Sequence, residues 1–445
     1  MRRHLSNAGF GVLDYLSYPI GMLIVAPVIL HRIGAAEYGV WMIASSIISA
    51  GSITASGFGD ACIQRVAQMR GGGEYANIPH TVQSMLAING MLGTLFALGL
   101  WCAAPYFASR IAVSHTAPVS ECLIVLRIAS ILILVRAVES VAVGVQRAFE
   151  QYRTTVQVSS AARLLILGTA AVLAWYGQRT VGILVATALI MIVGTAIQLH
   201  QARMLIGAAI WPKFWPGETR ILCGRGVFVW LQTLGGIVFS RLDRILLGIY
   251  LGALAVAPYS LCMQFAHPIY GLTGAALNFL FPYLSGRSAS QSPAEFRQTL
   301  IKVFVLNVIL VAFPTVLLLI FGERIIGIWA GASVAKSAAP ILPPIVLGAA
   351  LIGLSVTGVY AVQALKLFRA VAYINLTGRA VMLLPMVLLL RHEGLAGLAV
   401  SQLLYGSVSL LVYVPLFQQL SLKNQSRNSP SYSMLPIEAQ EGSKP

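Results

Sequence analysis

Charge is scarce throughout this chain. Only 10% of its 445 residues are Asp, Glu, Lys or Arg, whereas 58% are apolar. A soluble fold of this length needs a charged surface to remain in solution, and too few charges are present to provide one. The composition therefore excludes a soluble globular protein and indicates that the lipid bilayer is the solvent.

Motifs for metal binding, nucleophilic catalysis and nucleotide hydrolysis are also lacking. The five cysteines are scattered and odd in number, and the histidines are isolated from one another. No glycine loop is followed by Lys and Ser or Thr, which excludes an ATP-binding loop. No loop combines basic with aromatic residues, so nucleic acid is not an expected partner. We predict no catalytic residue, no metal, no cofactor and no enzymatic activity.

The apolar residues form long runs separated by short polar hinges. A helix of about 20 residues crosses a hydrocarbon core of about 30 Å, and the runs approach this length. Lipid offers no hydrogen-bond partners to the backbone, so spans of this length must be helical. We predict an all-α integral membrane protein with about twelve spans. Their approximate centres are Gly21, Ile48, Leu92, Leu132, Leu167, Met191, Leu234, Tyr270, Leu310, Leu351, Leu384 and Leu411.

Lys and Arg are distributed unevenly between the two sets of loops. With the amino terminus inside, eighteen of them fall in inner segments and six in outer loops. Short loops rich in Lys and Arg stay cytoplasmic, so both termini are expected on that side. The net charge of +16 then reflects this bias together with binding to anionic membrane lipid.

Charged residues inside the predicted spans are candidates for function. A charge at mid-membrane costs several kcal/mol and usually faces protein or a water-filled cavity. Arg136 and Glu139 are three positions apart, which fits either an ion pair or a functional site. No acid lies near Arg163 or Arg379 on its own helix. The remaining candidates are Asp14, Asp60, Arg127, Arg241, Asp243 and Arg244, of which Asp14, Asp60 and Arg127 lie near span ends.

The segment Arg241-Leu242-Asp243-Arg244 places two arginines on nearly the same side of a helix. Asp243 points to another side, so Arg241 and Arg244 form a cationic face. Guanidinium groups fit phosphate oxygens, so the excess of buried positive charge predicts a substrate with a phosphate or diphosphate. The competing interpretation is that acids on other helices neutralise each arginine. A histidine within a span, His267, is either structural or part of a pathway.

Two segments resemble each other across the chain. Residues 33–39 read IGAAEYG after the first span, and residues 251–259 read LGALAVAPY after the seventh. Six crossings return the chain to the same side, so parallel halves are predicted. We expect an N-terminal six-helix bundle at 1–205, a C-terminal six-helix bundle at 206–420 and a disordered cytoplasmic tail at 421–445.

Four stretches also resemble a known family. They are residues 34–41 (GAAEYGVW), 57–60 (GFGD), 241–248 (RLDRILLG) and 278–285 (NFLFPYLS). In these, the chain resembles the lipid-linked oligosaccharide flippases of the polysaccharide-biosynthesis type, the Wzx-like branch of the multidrug/oligosaccharidyl-lipid/polysaccharide (MOP) exporter superfamily. It departs from the pattern at Ala257-Pro258, where relatives commonly have glycine before the tyrosine.

The resemblance implies a V of two pseudo-symmetric six-helix bundles around a cationic cavity in a bacterial inner membrane. The implied substrate is an undecaprenyl-diphosphate-linked oligosaccharide, moved to the outer leaflet for O-antigen, capsule or exopolysaccharide assembly. Polysaccharide polymerase and chain-length proteins are further candidate partners. We assign substrate binding to Arg241, Arg244, Arg136, Arg163 and Arg379, and coupling or gating to Asp14, Asp60, Glu139 and Asp243.

Three other classes of protein fit parts of the sequence. A cation-coupled multidrug exporter of the same scaffold has the same helix count, but an arginine-rich cavity repels cationic substrates. A major facilitator porter usually has a basic signature with Asp and Gly between spans two and three, and residues 64–77 lack it. A glycan polymerase or glycosyltransferase tends to need a large loop domain or metal-binding acids.

Overall fold

A computed structural model describes residues 2–51, 63, 65–112, 118–277, 284, 293–365 and 367–428. These residues form helices and short turns, and none of them lies in a β-strand. The helices are α1 (Arg2–Gly51), α2 (Ile78–Ile111), α3 (Val119–Ala148), α4 (Tyr152–Trp175), α5 (Thr180–Ile206), α6 (Pro216–Leu251), α7 (Ala253–Ala276), α8 (Pro293–Ala330), α9 (Ala332–Ala338), α10 (Leu342–Ala364), α11 (Phe368–His392), α12 (Leu395–Ser409) and α13 (Tyr413–Asn428).

Long apolar helices dominate this architecture. Eight of those described are long and apolar enough to cross a membrane. Gly34 has φ 83° and ψ 167°, which divides α1 into two crossings. A 3₁₀ turn at Leu410–Val412 joins α12 to α13, which together make one crossing. With α1 counted as two crossings, α12 with α13 as one, and the short α9 left out, the described helices match the twelve crossings predicted for an all-α integral membrane protein.

The end of the chain differs in part from the sequence expectation. Helix α13 continues to Asn428, into the segment predicted as a disordered tail from residue 421. The helix extends this far because an existing helix is lengthened more easily than a new one is started. Residues 429–445 lie outside the described part of the chain.

Residues 33–39 and 251–259, which resemble each other in sequence, also have similar backbone conformations. Gly252, between α6 and α7, has φ 80° and ψ 171°, nearly the same conformation as Gly34. This region of φ is favourable for glycine because it has no Cβ. Tyr38 and Tyr259, which follow the two turns, are both fully buried. Helix α7 runs through Pro258 without interruption.

Two buried asparagines tie neighbouring helices together in corresponding places. The Asn89 amide of α2 donates to the Ala137 carbonyl at 3.4 Å and to Ser140 Oγ at 3.2 Å on α3. The Asn307 amide of α8 donates to three acceptors on α10, the Gly353 and Leu354 carbonyls at 3.1 and 3.2 Å and Thr357 Oγ1 at 2.9 Å. The two halves of the protein therefore share a helix contact as well as a turn.

Buried apolar residues form one large cluster and two smaller ones. The large cluster includes residues from both halves, among them Ile29 and Tyr38 of α1 and Val256 of α7. It occupies the end of the molecule at which Gly34 and Gly252 lie, here called the closed end. At the opposite end, here called the open end, the core separates into a first-half cluster and a second-half cluster.

Close packing at the closed end depends on glycine. A Cβ at Gly39 of α1 would lie 1.8 Å from the Ala253 carbonyl oxygen of α7. The Trp329 indole of α8 also donates to the Leu23 carbonyl of α1 at 2.9 Å, again between the halves. The halves therefore share one apolar core at the closed end, whereas the apolar core at the open end is divided between two clusters.

Replacing Gly39 with alanine should disrupt the contact between the halves. The added methyl group must displace the α7 backbone, so we expect Gly39→Ala to destabilise the protein by about 1–3 kcal/mol. A matched control is Gly90→Ala, because a Cβ at Gly90 of α2 meets no atom within 4 Å. Thermal unfolding in detergent measures both variants, and equal midpoints would contradict the prediction.

Replacing either buried asparagine should destabilise the half of the protein that contains it. Interhelical hydrogen bonds in membrane proteins contribute about 0.6 kcal/mol on average and up to about 1.7 kcal/mol. We expect Asn89→Ala and Asn307→Ala to lower the unfolding midpoint, and Asn307→Ala to do so more because Asn307 makes more bonds. The exposed Asn375 of α11 provides the control, Asn375→Ala. A control variant as unstable as the other two would refute the assignment.

Candidate functional site

Arg136 and Glu139 form an ion pair within α3. Arg136 Nη1 lies 2.7 Å from Glu139 Oε2, and the arginine side chain is 29% exposed. The sequence left open whether these residues form an ion pair or a functional site. The structure shows the pair, and their assignment to substrate binding and coupling stays a prediction.

Asp243 of α6 lies at the centre of a buried hydrogen-bond network. Its Oδ2 accepts from the Tyr259 hydroxyl of α7 at 2.5 Å, and its Oδ1 accepts from the Arg244 backbone amide at 2.7 Å. The Gln402 amide of α12 donates to the Tyr259 oxygen at 2.9 Å. Asp243 is only 3% exposed, so this network supplies the partners that a buried carboxylate requires.

A cavity of about 150 Å³ adjoins this network inside the second half. Two of the predicted site residues from different helices, Asp243 and Arg379 of α11, line it together. Its other polar residues are Tyr270, Gln402 and Tyr405. The structure therefore brings an acidic and a basic candidate to one polar cavity, a juxtaposition that spacing along one helix does not predict.

Arg244 and Arg379 differ from Arg136 in their surroundings. Within the described residues, neither forms an ion pair with an acid. Arg244 Nε is buried and has no hydrogen-bond partner there. The competing interpretation, in which acids on other helices neutralise every arginine, therefore does not describe these two residues in this part of the chain.

Arg163 and Arg379 occupy corresponding positions in the two halves. Helix α4 begins Tyr152-Arg153 and helix α11 begins Phe368-Arg369, and each reaches its second arginine after the same number of residues. This repeat is present in the sequence, but it is spread over isolated positions, so a comparison of contiguous stretches does not reveal it. Arg163 is partly buried in α4 and takes part in an interaction.

Several predicted residues cannot be placed in the site. The side chains of Asp14 and Arg241 lie outside the described part of the chain, although their backbones belong to α1 and α6. Asp60, with the 57–60 stretch, and most of the 278–285 stretch also lie outside the described residues. Their assigned roles stay predictions.

Sequence reasoning missed an ionic cluster at the closed end. Glu37 is 5% exposed; its Oε2 accepts from the Thr180 backbone amide at 3.1 Å, and its Oε1 lies 3.4 Å from Arg179. Arg179 also pairs with Glu121 at the start of α3. Glu37 thus accepts a hydrogen bond from the first turn of α5. Its position after the first predicted span does not reveal this role.

A second missed contact lies at the open end. Arg65 donates to both carboxylate oxygens of Glu218, at 3.3 and 3.1 Å, and the Thr81 hydroxyl donates to Glu218 at 2.9 Å. Leu222, one turn further along α6, belongs to the first-half cluster. Helix α6 therefore begins against the first half and ends, near Asp243, in the second.

No group of three or more His, Cys, Asp or Glu side chains with the arrangement of a metal site occurs within the described residues. His267 of α7 is exposed, and its ring lies 4.6 Å from that of Tyr270, which lines the cavity. The site is thus made of arginine, carboxylate, amide and phenol groups, which bind ions and hydroxyls by hydrogen bonds.

The fold and this site define a multi-pass membrane protein of two similar helical lobes. The family described as polysaccharide biosynthesis protein matches residues 29–339, which is more than half of the chain. The chain therefore belongs to the polysaccharide biosynthesis protein family. None of the curated proteins matches it significantly in sequence.

Solved structures with similar folds are transporters and flippases. The lipid II flippase MurJ in an inward closed conformation aligns with a TM-score of 0.68 at 14% identity, covering 93% of this chain and 90% of that one. An inward-facing multidrug resistance MATE transporter of the MOP superfamily aligns at 0.66 and 14% identity, covering 93% and 95%. The MATE multidrug transporter DinF-BH aligns at 0.61 and 16% identity, covering 94% and 95%. This chain therefore shares the fold of these proteins, one of which is named as a member of the MOP superfamily.

Replacing Tyr259 with phenylalanine should destabilise the second half. Tyr259→Phe keeps the ring but leaves Asp243 Oδ2 without its donor, which should cost about 1–3 kcal/mol. Tyr373 of α11 is 69% exposed, so Tyr373→Phe is the matched control. Thermal unfolding in detergent measures the difference, and an unchanged midpoint for Tyr259→Phe would contradict the network.

Proposed function

We propose that this protein is a flippase for a lipid-diphosphate-linked oligosaccharide. In this proposal, it moves an undecaprenyl-diphosphate-linked repeat unit from the cytoplasmic to the outer leaflet for assembly of O-antigen, capsule or exopolysaccharide. The observation that carries it is that Arg244 and Arg379 lie in a membrane helix bundle without an acid partner among the described residues. Membership of the polysaccharide biosynthesis family supports the glycan pathway.

The physical argument concerns the cost of buried charge. An arginine held within a bilayer without a counter-charge is unfavourable unless an anion joins it for part of the transport cycle. A diphosphate offers several oxygens that accept bidentate guanidinium hydrogen bonds. The lipid tail of such a substrate remains in the bilayer while its polar head group crosses, so a polar path between helices suffices.

The shape of the molecule fits this path. In this proposal a head group enters between the two apolar clusters at the open end, because the shared cluster joins the halves at the other end. Rocking of the halves would transfer the opening from one end to the other. We infer that the open end faces the cytoplasm, because the lysine and arginine bias of the loops places both termini on that side.

Coupling to an ion gradient is part of the proposal. Asp14, Asp60, Glu139 and Asp243 are the acids assigned to it. Asp243 is the best supported, because it lies on a cavity that Arg379 also lines and accepts a hydrogen bond from Tyr259 of α7, which in turn accepts one from Gln402 of α12. Movement of α7 or α12 would change the donors around this carboxylate and thereby its affinity for a proton or cation.

The cellular location and the partners of the protein follow from the same proposed function. We propose a bacterial inner-membrane location, contacts with anionic lipid through the basic loops, and transfer of the product to polysaccharide polymerase and chain-length proteins. Chemistry on the glycan would be left to those partners.

A cation-coupled multidrug exporter is the second candidate. Two of the three solved structures described above are named multidrug transporters, and their fold is shared. Their identity to this chain is 14% and 16%, which supports the fold alone. Binding of a cationic dye by the purified protein, with no binding of a lipid diphosphate, would favour the exporter.

Neutralising the arginines should abolish transport. We expect Arg241→Gln with Arg244→Gln, and separately Arg379→Gln, to lower flipping of a labelled undecaprenyl-diphosphate oligosaccharide in proteoliposomes by at least about tenfold. Each lost charged hydrogen bond is worth about 1.5–3 kcal/mol. The exposed Arg203 at the end of α5 supplies the control, Arg203→Gln. Transport that continues unchanged with normal protein levels would remove these arginines from the mechanism.

A further inference from the structure

The segment that joins the two halves lies at the open end of the molecule. We call it the linker and define it as residues 207–215, between the end of α5 at Ile206 and the start of α6 at Pro216. Both helices are membrane crossings, so the linker lies at the membrane surface. Ile210 of the linker packs against the first-half cluster. The linker therefore belongs to the first half and is placed where lipid headgroups surround the protein.

Gln83 of α2 makes three of the hydrogen bonds that hold the linker in place. Its carboxamide donates to the Ala209 carbonyl at 3.0 Å and accepts from the Trp215 indole at 2.9 Å. Its backbone carbonyl accepts from the Lys213 amide at 3.3 Å. The neighbouring Ser84 Oγ accepts from the Trp215 amide at 3.1 Å. Four hydrogen bonds to two adjacent residues make the linker an ordered part of the surface.

Lys213 and Trp215 form a cationic and aromatic surface on this linker. The Trp215 ring stacks on the His80 ring of α2 with centroids 3.8 Å apart, and Lys213 Nζ lies 4.2 Å from the Trp215 ring centroid. Lys213 is exposed and forms no ion pair within the part of the chain that the structure describes. Glu218, the nearest acid along the chain, is paired with Arg65. The Lys213 ammonium group is therefore positioned by the indole and still able to bind an anion.

Two further aromatic side chains of the linker are exposed. Trp211 is 72% exposed and Phe214 is 52% exposed. Rings of this size are unfavourable in water, whereas the interface between headgroups and acyl chains accommodates them. The expectation from sequence that no loop combines basic with aromatic residues is therefore wrong for this linker, although a single lysine is too few for a nucleic-acid surface.

Charge complementarity indicates which lipid fits this surface. Lys213 supplies one positive charge, and the exposed Arg220 near the start of α6 supplies another close to it along the chain. Basic residues beside a membrane crossing attract anionic headgroups. A zwitterionic headgroup also contains a phosphate, but its own cationic group offsets the charge. The linker thus favours an anionic phospholipid over a zwitterionic one.

We propose that the linker is a binding site for an anionic phospholipid in the leaflet at the open end. Lys213 binds the headgroup phosphate, and Trp211 and Phe214 insert among the lipids beside it. This assigns to one segment the contact with anionic lipid given under the proposed function, and it rests on that part of the proposal and not on the flippase activity. Gln83 keeps the linker at the depth that this binding requires.

Lipid selectivity beside the linker can be measured by fluorescence quenching. Ala209→Cys, in a background without the native cysteines, carries a fluorophore at an exposed linker position and leaves the aromatic residues and Lys213 intact. The labelled full-length protein is placed in phosphatidylcholine nanodiscs that contain a small, equal fraction of either spin-labelled phosphatidylglycerol or spin-labelled phosphatidylcholine. The ratio of quenching by the two lipids measures selectivity. Lys213→Gln removes the proposed headgroup contact, and Lys336→Gln, at an exposed position of α9, is the matched control.

We expect phosphatidylglycerol to quench about twofold or more strongly than phosphatidylcholine, because a basic residue at the surface attracts the anionic headgroup. Lys213→Gln should bring the ratio close to one, as should high salt, which screens the attraction. Trp211→Ala combined with Phe214→Ala should weaken quenching by both lipids. Equal quenching in the parent, an unchanged ratio in Lys213→Gln, or an equal loss in Lys336→Gln would overturn the proposal. The measurement involves no transport, so it does not depend on the flippase assignment.

Discussion

Inside a bilayer, every polar group must find its partner within the protein or its ligand, and this constraint governs the whole molecule. The backbone meets it by forming helices. Most side chains meet it locally, as Thr187 and Ser401 do by bonding the carbonyl four residues earlier. Asn89, Asn307 and the Asp243 network meet it between helices, and so they join helices into units. The groups that fail to meet it in this conformation are therefore informative, because a cost of this kind persists only where another state or a ligand removes it.

The repeat explains how two halves with little sequence similarity form one fold. Gly34 and Gly252 provide the same turn, and Asn89 and Asn307 the same tie between neighbouring helices. These positions need a particular backbone conformation or a particular hydrogen bond, so few residues can replace them. Most other positions need only an apolar side chain of suitable size, which many residues provide. The two halves therefore resemble each other at these isolated positions and not in the sequence that separates one such position from the next.

Much of the fold could be predicted from sequence, because span length and charge scarcity reflect the bilayer directly. The Arg136–Glu139 pair was also accessible, since both residues lie on one helix at a spacing that allows contact. The network around Asp243 was not, because Tyr259, which donates to Asp243, and Gln402, which donates to Tyr259, come from other helices and their approach depends on packing. The roles of Glu37 and Glu218 were hidden for the same reason. The matching positions of Arg163 in α4 and Arg379 in α11 were predictable in principle, because both helices begin with an aromatic residue followed by arginine.

The uncompensated groups are of two chemical kinds, and they lie in different places. Arg244 Nε is buried without a partner among the described residues and calls for an anion, whereas the buried polar atoms of Ser46 in α1 and of Ser260 and Gln264 in α7 call for neutral hydrogen-bond partners. A single small anion would satisfy only the first set, and a free sugar only the second. A head group that joins a diphosphate to a glycan carries both kinds of partner in one molecule.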